Sequence, residues 1–116
     1  MIKTRVMHLM LQRKELIDQL ETQDPGIPCE EIILFGSAAR DTMTTHSDID
    51  LAFIVENFQD LETRHQISQW VFRKSQELDI EIDIYLMERK SYETSEMKIY
   101  KNIREEGISL WKHIGV

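Results

Sequence analysis

A single cysteine, two prolines, few basic residues and no long apolar run set the first limits on this 116-residue chain. With Cys29 alone no internal disulfide can form, which fits a reducing compartment, and Cys29 reads as a partly buried small residue at a strand entrance rather than a nucleophile. No apolar stretch approaches membrane-spanning length. The segment from Met7 to Leu11 is interrupted by His8 and followed by Gln12, Arg13 and Lys14, so it is no signal-peptide core. A cytoplasmic protein with no membrane contact is expected. Lysine and arginine number 14 against 21 aspartates and glutamates, a net charge of −7. A phosphate-tracking surface needs a basic stripe, so this balance argues against long DNA or RNA as a partner. Pro25 and Pro28 share one loop, and no repeat, low-complexity tract or linker interrupts the chain. One domain, 1–116, is expected, with no residues left for a second.

What the chain does have is concentrated between Ile33 and Val55, where an apolar strand stops at a small-residue turn and a second strand carries two aspartates. The run contains Gly36-Ser37, ten intervening residues, then Asp48-Ile49-Asp50. Alternate side chains of a strand share a face, so Asp48 and Asp50 should project together from an otherwise apolar stretch. Like charges so placed repel and resist desolvation unless a cation lies between them. Hard oxygen ligands one strand step apart suit Mg2+ or Mn2+, which bind through one or two carboxylates and complete their shell with phosphates and water. Gly36 and Ser37 let backbone N–H groups and a hydroxyl approach those phosphates, and Ala38-Ala39-Arg40 reads as the first turn of a short helix. Arg40 is open to two readings: a phosphate or aspartate partner, or a helix-surface arginine. His46 lies close to the pair, but a loop histidine is more often solvent-exposed.

The surrounding pattern is that of an α/β (α+β) domain, a mixed sheet of three to four strands with helices packed on it. Val6, Leu9, Met10, Leu16, Ile17 and Leu20 recur at helical spacing over about 4–20, with Arg13 out of pattern and Met7 and Met10 assigned to the core. Glu31 to Phe35 is a buried strand. The ten-residue link to Asp48 is too short for a parallel crossover, so these strands should be antiparallel. Asn57 and Asp60 offer N-cap oxygens to a helix whose face runs through Leu61, Ile67, Trp70, Val71, Lys74 and Leu78. Its Arg64, Arg73 and Lys74 are read as solvated helix charge. That helix is long enough to return the chain to a parallel strand, Asp79 to Leu86. Alternation there puts Ile80, Ile82, Ile84 and Leu86 on one face and Asp79, Glu81, Asp83 and Tyr85 on the other, without choosing among the acids. Ser91 should cap a helix over 92–105, Gly107 should end it, and Ile108 to Trp111 can add a terminal strand.

Gly36-Ser37-Ala38-Ala39-Arg40-Asp41 and Ser47-Asp48-Ile49-Asp50-Leu51 resemble the G-S-x-A-R-G and S-D-x-D-L pattern of the nucleotidyltransferase superfamily that includes DNA polymerase beta and kanamycin nucleotidyltransferase. The nearest likeness is to its minimal single-domain branch, the MNT proteins. Asp41 departs, standing where the family has glycine, and Asp tolerates left-handed backbone better than most residues. The resemblance runs from Ile32 to Trp111 and implies the family's palm fold. It also implies that Asp83, within Ile82-Asp83-Ile84, is the third carboxylate. By the same resemblance Gly36 and Ser37 would hold the β- and γ-phosphates of ATP, with Arg40 a further contact. Asp48, Asp50 and Asp83 would bind Mg2+ or Mn2+, and Asp83 would take the acceptor's proton. MNT proteins frequently pair with a helical HEPN toxin, and relatives of this kind transfer AMP to a toxin tyrosine, so a HEPN-like partner in a homo- or hetero-oligomer is implied.

Two other readings compete with AMP transfer to a partner protein. One is a binding module that neutralises or recruits a helical partner by contact alone. The other is transfer to a small molecule, which the missing acceptor domain disfavours unless dimerisation builds a pocket. Three acids on apolar strands favour the enzyme.

Overall fold

The computed structural model of the chain describes residues 2–40 and 49–113. Helix α1 (Ile2–Thr22) leads through a turn into β1 (Glu31–Phe35), followed by the single-turn helix α2 (Ser37–Arg40). Then come β2 (Ile49–Val55), α3 (Leu61–Leu78), β3 (Ile82–Glu88), α4 (Arg89–Thr94), α5 (Lys98–Glu106) and β4 (Ile108–Lys112). The strands form one mixed sheet in the order β3-β2-β1-β4. β1 runs antiparallel to β2 and β4, whereas β2 and β3 are parallel, joined by α3 as their lengths dictate.

Both faces of the sheet are covered, which is why β1 and β2 read as continuous apolar runs rather than alternating ones. On one face Ile32, Leu34, Leu51, Phe53 and Val55 meet Leu9, Leu16 and Leu20 of α1 and Ile67, Trp70 and Val71 of α3. Phe53 is fully buried there, with Trp70 set edge-on at 6.1 Å. The other face carries Ile33, Phe35, Ala52, Ile54 and Met87 under Ile103 of α5 and Tyr92 of α4. A residue's parity along its strand therefore decides which pair of helices it faces.

Several sequence expectations need correction. Met7 and Met10 are exposed, 61% and 42%, because the α1 face that meets the sheet runs through Leu9, Leu16 and Leu20. The last strand begins at Ile82 rather than Asp79. Asp79 is the C-cap of α3 in the left-handed conformation, φ 53° and ψ 52°, and its backbone N–H donates to the Ser75 carbonyl. Asp adopts that conformation at low cost, so it closes the helix before the strand starts. The expected helix over 92–105 is two helices, with Ser95 to Met97 between them and Ser91 inside α4 rather than at its cap. Ser95 Oγ accepts from the Met97 N–H at 3.2 Å, an alternative to the helical ladder that serine offers readily. Asp60 does cap α3, accepting from the Thr63 N–H at 3.0 Å and from its hydroxyl at 2.6 Å.

Candidate active site

The ladders bring Asp50 and Asp83 together. Phe35 is the register partner of Asp50 across the antiparallel pair, and Asp50 is the register partner of Asp83 across the parallel one. Cross-strand partners share a face, so the two carboxylates emerge side by side on the α4/α5 face, where β1 ends and β2 and β3 begin. Asp50 is half-buried and Asp83 exposed. Glu81 lies just before β3, its carbonyl accepting from the Ile49 N–H at 3.0 Å, and Asp79 is in the helix cap. Of the three acids that periodicity could not separate, Asp83 is the one in register with Asp50. Asp48, together with Asp41 and His46, lies outside the described residues.

Gly36 links β1 to α2 with φ +73°. A Cβ built there would run into the Asp50 carboxylate, with Asp50 Cγ at 3.3 Å. The turn therefore requires glycine twice, for its backbone and for the close approach of the acid. Ser37 opens α2, and the Gly36 carbonyl accepts from the N–H groups of Ala39 and Arg40 at 3.1 and 3.2 Å. Arg40 is exposed and donates to Glu106 Oε2 at 2.7 Å, tying α2 to the end of α5.

Alternation grouped Tyr85 with the acids of its strand and gave it no role; it is half-buried. Its ring sits edge-on to Phe35 with centroids 4.9 Å apart. Burial first, then the charges of Asp50 and Asp83, push its phenol pKa up. The signal that could have found it is an aromatic two residues after Asp83, hence on the same face. Cys29 is buried, and burial, followed by the charges of Asp24 and Glu30, pushes its thiol to about 12, which rules out a thiolate nucleophile at neutral pH. Lys74 lies on the opposite side of the sheet, held by Gln19 Oε1 at 2.7 Å and 5.9 Å above the Trp70 ring. The groove beside it, about 170 Å3 and lined by Gln19, Asp24, Trp70, Arg73 and Glu77 among others, is likewise remote from the carboxylates.

The donor set fits a hard divalent cation. Asp50 and Asp83 offer carboxylate oxygens from adjacent strands, and the glycine turn leaves room for the Asp50 carboxylate where a side chain would have filled it. Among the described residues no group of three or more acids, histidines or cysteines that could hold a metal ion is found, so Asp50 and Asp83 are the two that could serve as ligands.

A four-stranded mixed sheet with helices on both faces, and adjacent acids beside a glycine turn, defines an α+β palm-type domain. The chain belongs to the nucleotidyltransferase domain family, whose model matches residues 13–110, and it is a nucleotidyltransferase. Solved structures of similar fold include a toxin–antitoxin complex with AMP-PNP, at 22% identity over 88% of this chain and 74% of that one, TM-score 0.57. Another is a candidate nucleotidyltransferase from Sulfolobus solfataricus, at 17% identity over 95% and 86%, TM-score 0.53. A third is a complex of a tri-AMPylated HEPN toxin with an MNT antitoxin from Shewanella oneidensis, at 21% identity over 89% and 71%, TM-score 0.50. At these identities what is shared is the fold. Among curated proteins no match is found.

Proposed function

We propose that the chain transfers AMP from ATP to a hydroxyl on a partner protein, as the antitoxin of a HEPN/MNT pair in the cytoplasm. The observation that carries this reading is the Asp50–Asp83 register against the Gly36 turn. The toxin–antitoxin neighbours, one with AMP-PNP and one whose HEPN toxin is tri-AMPylated, support the nucleotide and the partner. No helix among the described residues is long and apolar enough to cross a membrane.

In this reading Gly36 and Ser37 cradle the β- and γ-phosphates, and Asp48, Asp50 and Asp83 hold Mg2+ or Mn2+. When bound, the cation would neutralise triphosphate charge and favour departure of pyrophosphate. Asp83, the exposed member of the pair, takes the proton of the attacking hydroxyl. Arg40 is held by an exposed ion pair, typically a contribution of about 0–1 kcal/mol, so it can exchange Glu106 for a phosphate at little cost. The acceptor's oxygen forms the new bond to the α-phosphorus as the bond to the β-phosphate bridge breaks. The remaining catalysis is positioning.

The test is incubation with α-labelled ATP and Mg2+, with and without a HEPN-type protein encoded beside it, followed by intact-mass analysis of both chains. AMP added to the partner, and absent with Asp50→Ala, supports the reading. Partner neutralisation that survives Asp48→Ala with Asp50→Ala would replace it with binding by contact alone, the second reading. That second reading is favoured by the outward-facing Met7, Leu11 and Phe72.

A further inference from the structure

Near the two carboxylates, on β3, stands a tyrosine, Tyr85, whose ring is packed and whose hydroxyl has no hydrogen-bond partner among the described residues. Tyr85 follows Asp83 by two residues and shares its face, and its register partner is Ala52. The methyl side chain of Ala52, fully buried, leaves space above β2, and the Tyr85 ring crosses that space to reach Phe35. Phe35 is in turn the cross-strand neighbour of Asp50. Packing thus fixes the ring across the strand that carries Asp50, behind the acid pair.

Register places the side chain beside the acids: Tyr85 shares a face with Asp83, and the Phe35 ring it meets belongs to the partner of Asp50. Burial first, and then the charges of Asp50 and Asp83, push the Tyr85 phenol pKa up, in keeping with that placement. Tyr85 makes no hydrogen bond to another described residue. A phenol with one end packed and the other unengaged is a donor awaiting an acceptor. Beside carboxylates that already fill the acceptor role, a phosphate oxygen of the substrate is the complementary group.

We propose that Tyr85 is a substrate-binding residue whose hydroxyl donates to a phosphate oxygen of the nucleoside triphosphate held at Asp50 and Asp83. The inference rests on the nucleotidyltransferase reading of that site. The side chain has two separable functions: its ring is part of the packing, and its oxygen selects and orients the nucleotide.

Tyr85→Phe keeps the ring and removes the oxygen. Calorimetric titration with Mg·ATP and, separately, with Mn2+ alone is expected to give roughly tenfold weaker Mg·ATP binding, the effect of one hydrogen bond to a charged group. Mn2+ affinity and the thermal midpoint should be unchanged. Tyr85→Ala should lose both nucleotide affinity and stability. Equal Mg·ATP binding by wild type and Tyr85→Phe would overturn the inference while leaving the enzyme reading intact. Parallel losses of Mn2+ and Mg·ATP binding would overturn it too, since the residue would then act through the carboxylates. If wild type bound no Mg·ATP, both the inference and the function it rests on would fall.

Discussion

The α4/α5 face of the sheet carries acids at both ends, and the two ends treat them differently. At one end Glu31, 7% exposed, receives a hydrogen bond from Arg89 Nη1 at 2.8 Å, and Arg89 Nε reaches Glu30 at 3.2 Å. Burial alone would lower the Arg89 pKa, but the hydrogen bonds to Glu31 and Glu30 outweigh it and hold the guanidinium charged. The buried negative charge there is answered from inside the chain. At the other end Asp83 lies across from Asp50, is exposed, and has no ion-pair partner among the described residues. The difference separates acids that hold the fold together from Asp83, an acid that no described residue engages in an ion pair.

Four substitutions test that contrast, from the largest effect to the smallest. Asp50→Ala should lower AMP transfer by about a hundredfold or more, on the scale of removing one group that stabilises transition-state charge. Its far-ultraviolet circular dichroism should be unaltered, and loss of folded signal would instead make Asp50 structural. At the other end Arg89→Leu should cost about 3 kcal/mol in urea unfolding, because Glu31 is left buried and uncompensated. Transfer per folded molecule should stay near wild type. If that substitution silenced the enzyme without destabilising it, the two ends would not be distinct.

Gly36→Ala sits between the two classes. The positive φ alone costs a side chain about 1–2 kcal/mol, and the added methyl displaces the Asp50 carboxylate, so stability and Mn2+ affinity should fall together. The smallest effect belongs to Asp60, the exposed N-cap of α3. Hydrogen bonds from the Thr63 hydroxyl and N–H hold its carboxyl pKa below the usual aspartate value. A depressed folded pKa gives stability that is present above the unfolded value, about 3.9, and is lost as pH falls through the folded one. Asp60→Asn keeps a capping oxygen without that titration, so its unfolding midpoint should fall less than that of wild type on acidification below about pH 4.

Much of this was legible because periodicity and loop length are strong local signals. The apolar run ending at Gly36, the short antiparallel link to β2 and the long helical return to a parallel β3 follow from them, and the observed pairings agree. Acids on apolar strands were an unusual and therefore visible feature, and the register sets two of them, Asp50 and Asp83, side by side. What was not legible depends on tertiary choice. Nothing in the residues 92–105 is a glycine or proline, so the break between α4 and α5 carries no strong marker. Met10 fits the α1 stripe but the sheet contacts a narrower band, leaving it outside. Tyr85 reads as polar-side by alternation, and only the small Ala52 beside it allows the ring to fold inward. Asp79 continued the alternating pattern of the strand, but its tolerance of left-handed backbone made it the helix cap.

In the proposed function the Asp50–Asp83 pair is kept for an external cation and its nucleotide. The most direct measurement is a Mn2+ titration in the presence of a non-hydrolysable ATP analogue, followed by electron paramagnetic resonance, on wild type, Asp83→Asn and Arg89→Leu. Saturable binding that survives Arg89→Leu and disappears with Asp83→Asn is the predicted result. Binding that is indifferent to Asp83, or lost with Arg89, would contradict the account.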